Sequence, residues 1–216
     1  MTTPLDVPAI PQPRPQRELI LDKAVELFAA RGFEAMTMRL LGDAVGLDNS
    51  SLYRHFSGKS ELAGAALDRV AGEVLALIED QVAQTGPVTP ATLETVAADA
   101  GGYFFDRPAA ARLMLHWIMS MGAEGQGFSA SATDTTRPGG RLLEVMQQWL
   151  GDGARRGDLR RHATPDAVII LLGAVLLRPA TYGYLLASLE PEGSRGAARE
   201  AWLLELRAAV RGAFAP

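Results

Sequence analysis

Directly after Asp48, the chain sets Asn49, Ser50, Ser51, Tyr53, Arg54 and His55 within seven residues, and Lys59 follows. An amide, two hydroxyls, a phenol and cationic groups donate and accept hydrogen bonds and pair with phosphate. At this spacing they make no nucleophile and no acid–base pair. The means for bond-breaking chemistry are also scarce elsewhere. The 216 residues include no cysteine and three histidines, His55, His116 and His162, scattered along the chain. Disulfides, thiolate nucleophiles and Cys-type zinc sites are therefore excluded, and neither a metal-ligand constellation nor a Gly-rich phosphate loop is present. These residues point to recognition, with no enzyme activity and no cofactor expected.

The formal net charge of −4 argues at first against a polyanionic partner. Its distribution matters more. From Arg14 to Lys59 there are seven Lys/Arg against six Asp/Glu, a net of +1, which leaves −5 for the remainder. One face of a small domain is enough to meet DNA, so the whole-chain balance says little. The longest apolar run, Ala167 to Leu177, covers 11 residues, whereas a membrane span needs about 20. No apolar stretch follows a basic start at the N-terminus, so no signal peptide is expected. The expectation is a cytoplasmic protein without a membrane partner.

The elements that must position the polar run follow from periodicity and caps. Residues 1–13 hold Pro4, Pro8, Pro11 and Pro13 and read as a disordered arm. Apolar Leu19, Ile20, Ala24, Leu27 and Phe28 recur at three and four, predicting a helix from about Arg14 to Arg31 that Gly32 ends. Thr37 is a fitting N-cap for a short helix through Leu40, Leu41, Ala44 and Val45, stopped by Gly46. Asp48 or Asn49 caps a second short helix containing Leu52, Tyr53 and Phe56. Leu47 and Leu52 would anchor it on the first, leaving the polar run outward. A helix with small polar residues leading and a positive N-terminal dipole is how a recognition helix meets a major groove, with Lys59 able to pair a phosphate. A long helix then runs from Ser57 or Ser60 to Gln84.

Beyond Thr85-Gly86-Pro87 the pattern is helical throughout, with helices placed at 90–106, 109–121, 138–156, 165–189 and 195–214. Residues 122–140, rich in Gly, Ser and Thr, read as a loop. Pro179 should interrupt its helix. The fold class expected is all-α: a three-helix head over 14–60 and a larger helical body over 61–216.

The segments RELILDKAVELFAARGFEAMTM (17–38) and GDAVGLDNSSLYRHFSGKSEL (42–62) resemble the tetracycline-repressor (TetR) family. Ala24, Phe28, Gly32, Phe33, Thr37, Ala44, Gly46, Leu52, Tyr53, Phe56 and Lys59 fall at that family's spacings. Leu40 and Gly42 depart from it, standing where a polar residue and an alanine are usual. The resemblance covers residues 14–65, under a third of the chain. It implies that Thr37 and Tyr53 bind phosphate. Arg39, Asn49, Ser50, Ser51 and His55 would then lie at or near base edges, with Arg54 beside them, and Lys59 would clamp the backbone. Half-buried packing for Tyr53, tolerated first-turn serines, and a solvated charge for Arg39 remain alternatives. Arg14 and Arg17 either reach a minor groove or belong to a flexible tail.

For the body the resemblance implies an effector pocket and a homodimer made by the last two helices, acting on a double-stranded DNA operator. The residues agree in a general way. Helix 165–189 is apolar nearly all round and must be covered on several sides. A second copy of the last two helices would complete a four-helix bundle. Large or soft side chains suited to an apolar effector are Phe104, Phe105, Met114, His116, Trp117, Met146, Trp149 and Tyr182, each open instead to a role in ordinary core. The expected function is a ligand-released repressor on a palindromic operator. A DNA-binding protein with a filled body, architectural or controlled by a protein partner, is the rival.

Overall fold

A computed structural model describes residues 16–85, 87–120, 134–162, 164–181 and 194–216. The described chain is all helical. The head comprises α1 (Gln16–Ala35), α2 (Met38–Val45) and α3 (Asn49–His55), and α4 (Lys59–Thr85) leads out of it. The body adds α5 (Pro90–Asp106), α6 (Pro108–Ser120), α7 (Pro138–Arg156), α8 (Thr164–Thr181) and α9 (Arg195–Phe214). The expected Gly, Ser and Thr-rich loop lies largely outside the described residues, as do the N-terminal arm and 182–189 of the expected long helix.

α1 buries Ile20, Leu21, Ala24 and Phe28 as one stripe against α4 and α6. Leu19, expected on that stripe, is 47% exposed. Three successive residues cannot share one helix face, and Ile20 and Leu21 occupy it. The break expected at Gly32 is present, at φ 72° and ψ 177°, but helical backbone resumes beyond it to Ala35. Pro179 lies inside α8, which continues to Thr181.

One apolar core runs without interruption from the head into the body. Phe28, Leu52 and Phe56 meet Leu62 and Leu67 on α4, and the same cluster continues to Trp117 and Leu176. α4 is thus the shared beam: its first turns complete the head, and Val74 and Ile78 further along belong to the body. α5 is the body's centre, packed by α4, α6, α8 and α9. Thr89 and Thr92 start it with reciprocal capping bonds, and Pro90 occupies the first turn, where its missing donor costs nothing.

The C-terminal end of α9 is held by the segment after α7. The Arg160 amide donates to Phe214 O at 2.8 Å, the Arg160 guanidinium to Ala215 O at 3.1 Å, and His162 Nε2 meets Ala213 O at 2.8 Å. These bonds occupy carbonyls that a helix end otherwise leaves unpaired. Phe214, 1% exposed, packs edge-on to the His162 ring.

Candidate nucleic-acid interface

The helix-turn-helix is assembled from local caps. Thr37 Oγ1 accepts the Leu40 amide at 3.2 Å and opens α2, as its position predicts. Gly46 closes α2 at φ 69°, a left-handed conformation that β-carbon-bearing residues avoid. The Leu47 amide returns to Gly42 O at 2.9 Å. Asp48 then caps α3: its Oδ1 accepts the Ser51 amide at 2.7 Å and the Ser50 hydroxyl at 2.9 Å. The Ser51 amide foremost, then the two hydroxyls, hold the Asp48 carboxyl below the usual carboxylate range.

Leu52 and Phe56, at 0% and 1% exposure, pin the underside of α3, and Leu47 is half-buried beside them. Burying one leucine fully is worth about 1.5–3 kcal/mol, so a seven-residue helix too short to persist alone is held by packing. Opposite these anchors Asn49, Ser50, Tyr53 and Arg54 are exposed, as are Thr37 and Arg39 on and before α2. Ser51 and His55 are half-exposed. Tyr53, at 52%, stands well clear of the core. Arg54 donates to Ser51 Oγ at 2.9 Å, which keeps its guanidinium along the outer face.

Lys59, at the start of α4, is held against the end of α1. Its ammonium donates to Glu34 O at 3.2 Å and lies 4.4 Å from the centroid of the Phe33 ring, which stacks on Phe28. The side chain bridges α4 to the end of α1 with its charge at the head's surface. Arg17 is likewise in the first turn of α1, its guanidinium 5.0 Å over Phe56. The flexible-tail alternative thus does not hold for Arg17, which lies in the helix expected from about Arg14. Neither Phe33 nor Glu34 carries a signal that would mark it as the support of Lys59.

Head and beam are tied by charge as well. Arg69 on α4 pairs with Asp22 at 2.7 Å and donates to Glu18 O at 3.2 Å, both on α1. Arg137, at the start of α7, grips Asp68 through Nε at 2.8 Å and a second nitrogen at 2.5 Å.

In the body, a small apolar gap with an accessible volume of about 30 Å³ lies between α4, α5, α6, α7 and α8. Of the pocket candidates, Phe104, Met114 and Met146 line it. The other walls are Val74 and Ile78 on α4, Val96, Ala97 and Ala100 on α5, Leu142 on α7, and Leu171, Leu172 and Val175 on α8. Phe105 packs elsewhere, 5.7 Å from the Trp202 ring, with the Arg178 and Arg195 guanidiniums each 5.8 Å from its centroid. Trp117 is fully buried core, and His116 and Trp149 are half-buried; none of the three lines the gap. Tyr182 lies outside the described residues. A search for bulky residues overlooks Ala97 and Ala100, where small side chains leave room.

Residues 20–66 match the model of the tetR family of bacterial regulatory proteins. The match lies within the head and the start of α4. Among the chain's relatives, the HTH-type transcriptional repressor KstR2 of Rhodococcus jostii is 36% identical over 81 residues, 38% of this chain and 39% of that protein. The chain is therefore aligned with well under half of that repressor. The HTH-type transcriptional repressor ComR of Escherichia coli is 28% identical over 162 residues, 74% of this chain and 75% of ComR. Among solved structures, KstR2 of Mycobacterium tuberculosis superposes with a TM-score of 0.67 at 19% identity, covering 95% of this chain and 97% of that one. FadR of Bacillus subtilis, solved in complex with stearoyl-CoA, gives 0.61 at 14%, covering 89% and 98%. The likeness in fold to these solved regulators therefore extends through the body as well as the head. These relatives are regulators, not enzymes. No helix among the described residues is long and apolar enough to cross a membrane.

Proposed function

We propose that this chain is a TetR-family DNA-binding transcriptional repressor that grips a palindromic operator as a homodimer and lets go when an apolar effector fills its body. The observation that carries this reading is the two-sided character of α3. Leu52 and Phe56 are sealed beneath it while Asn49, Ser50, Tyr53 and Arg54 stand exposed above. In this reading α3 enters the major groove, with Asn49, Ser50, Ser51 and His55 at base edges and Arg39 and Arg54 beside them. Thr37, Tyr53 and Lys59 hold the phosphates that set the register.

The dimer is supported by large apolar side chains left exposed on the last two helices: Ile169 at 63%, Leu177 at 60% and Leu204 at 69%. A two-fold pair of heads addresses half-sites about one helical turn, or a multiple of it, apart. The head is then the reading unit (14–60) and the remainder (61–216) the sensing and pairing unit, both within the cytoplasm. Effector release is supported by α4, which lines the apolar gap with Val74 and Ile78 and starts in the head with Lys59. An occupant that pushes on the far part of this helix re-aims the near part, and a typical coupling of about 1–3 kcal/mol suffices.

Genome-wide footprinting of the dimeric protein tests the proposal. Protected sites should be inverted repeats with centres about one or two turns apart. Absence of discrete sites, or protection of isolated single half-sites, would refute it.

A further inference from the structure

We infer that Arg54 reads a guanine in each operator half-site and that Ser51 is the residue that positions it. This rests on α3 being the recognition helix and deepens that reading. Arg54 follows Ser51 by one helical turn, so the two share a face, and a helical side chain leans toward the N-terminal end of its helix. Arg54 does so: its Nη2 donates to Ser51 Oγ at 2.9 Å. The guanidinium therefore lies along the exposed side of α3, toward the first turn that carries Ser50, and not off the far end.

Asp48 extends the row. Its carboxyl is lowered first by the Ser51 amide, next by the Ser51 and Ser50 hydroxyls, and further by the Arg54 charge, which sets that charge near the start of the helix. The carboxylate at the cap, the hydroxyl in the first turn and the guanidinium beyond it each hold the next. Ser51 is thus committed within the head. Arg54 gives one N–H to Ser51 and keeps the rest of its planar fork for a partner outside.

The fork selects the base. Two parallel donors fit two neighbouring acceptors, and in the major groove guanine alone offers them, O6 beside N7. Adenine sets an amino group next to its N7, cytosine presents an amino group, and thymine sets a methyl beside O4. Each of those meets the fork with a donor or with carbon. A phosphate also accepts a fork. Phosphates, however, line the rims of the groove, whereas Ser51 holds this guanidinium among the leading residues of α3, the part of a recognition helix that meets base edges.

Selection from random-sequence duplexes, followed by fluorescence anisotropy on the selected operator, tests this. The native protein should select one guanine position in each half-site that Arg54→Ala leaves free to vary. Replacing that guanine with 7-deazaguanine, which removes N7 alone, should weaken native binding about fivefold or more and leave Arg54→Ala indifferent. Arg54→Lys keeps the charge without the fork, so it should hold unrelated DNA as before and lose the guanine preference. Ser51→Ala retains the backbone amide that Asp48 caps, so α3 persists. It should lose preference at that one position with an unchanged salt dependence, and Ser51→Thr, which restores a hydroxyl, should recover it.

A native consensus without guanine, or one whose guanine survives Arg54→Ala, overturns the inference alone. So does an Arg54→Ala protein that weakens on all sequences alike while 7-deazaguanine leaves native binding intact, for Arg54 then holds phosphate. A guanine preference unmoved in Ser51→Ala removes the positioning role. No consensus at all refutes the operator reading, and this inference with it.

Discussion

Asp48 and Ser51 are joined by a 2.7 Å bond from the Ser51 amide to Asp48 Oδ1, and the same oxygen takes the Ser50 proton at 2.9 Å. One carboxylate therefore starts α3 and commits the Ser50 hydroxyl as a donor, leaving its lone pairs for a partner outside. Asp48→Asn should keep the helix, because asparagine caps as well as aspartate. Asp48→Ala should lower the melting temperature by about 2–4 °C, the shift expected for a lost cap in a chain of this size. The carboxyl is held below its ordinary value of 3.8, so the ionised cap contributes fully above that pH and is lost as pH falls through the lowered value. A melting temperature unchanged in Asp48→Ala would show that packing by Leu52 alone holds α3.

Asn49 and Lys59 separate base reading from backbone holding. Asn49 is exposed at the start of α3, whereas Lys59 sits between Glu34 O and the Phe33 ring with its charge at the surface. Asn49→Ala should cost about 1–3 kcal/mol on the preferred operator and little on unrelated DNA. Lys59→Ala should weaken binding to all sequences and reduce the slope of log K against log salt by about 1. Titration by fluorescence anisotropy at several salt concentrations measures both. An unchanged slope in Lys59→Ala would mean that the ammonium serves the α1–α4 junction and not DNA.

Much of the head was legible because its determinants are local. Thr37, Gly46 and Asp48 act on amides and carbonyls within four residues, so type and spacing reveal them. The body's gap was not legible: Ala97 and Ala100 are ordinary helix formers, and only the approach of α4, α7 and α8 turns their smallness into space. Lys59 was read as a phosphate partner from its place just past α3, but its seat on Phe33 and Glu34 depends on a contact 25 residues away in sequence.

Gly42 illustrates the same divide. Propensity alone makes it a weak point, about 1 kcal/mol worse than alanine in a helix. In the folded chain it is buried where α2 meets the turn, and an added β-carbon would stand 2.7 Å from Leu47 O, a backbone atom with little freedom to withdraw. Gly42→Ala should therefore destabilise the head and displace α3 despite its better propensity. Urea unfolding and operator affinity report the two effects, and a more stable variant with unchanged affinity would contradict the close approach.

Glu94 on α5 and Arg211 on α9 form a two-pronged pair, both contacts at 2.7 Å, with the carboxylate 7% exposed. The Arg211 hydrogen bonds outweigh burial and hold the Glu94 carboxyl below its ordinary 4.5. A depressed carboxylate stabilises the fold above its unfolded value and loses that contribution as pH falls through the folded one. The melting temperature should therefore drop below about pH 4.5, and Glu94→Gln should lose stability at neutral pH and show a shallower acid decline. Parallel declines in the two proteins would assign acid sensitivity to other carboxylates.

Ile169 and Leu177 lie eight residues apart on α8 and share one face, with Gly173 between them and nothing within 4 Å of where its β-carbon would be. Leu204 on α9 is 69% exposed. Large apolar side chains left open on two neighbouring helices are costly in water and mark a surface that another apolar surface covers. A second copy presents the same residues through a two-fold axis, and Gly173 lets the paired helices approach closely. Ile169→Glu and Leu177→Glu together should convert the protein to a monomer in sedimentation velocity without loss of helix content, because neither side chain supports the chain's own core. Operator affinity should fall by two orders of magnitude or more, since each head would then bind one half-site alone. A double variant that remains dimeric would move the interface elsewhere. A monomeric variant with undiminished affinity would leave the dimer in place and remove its role in reading DNA.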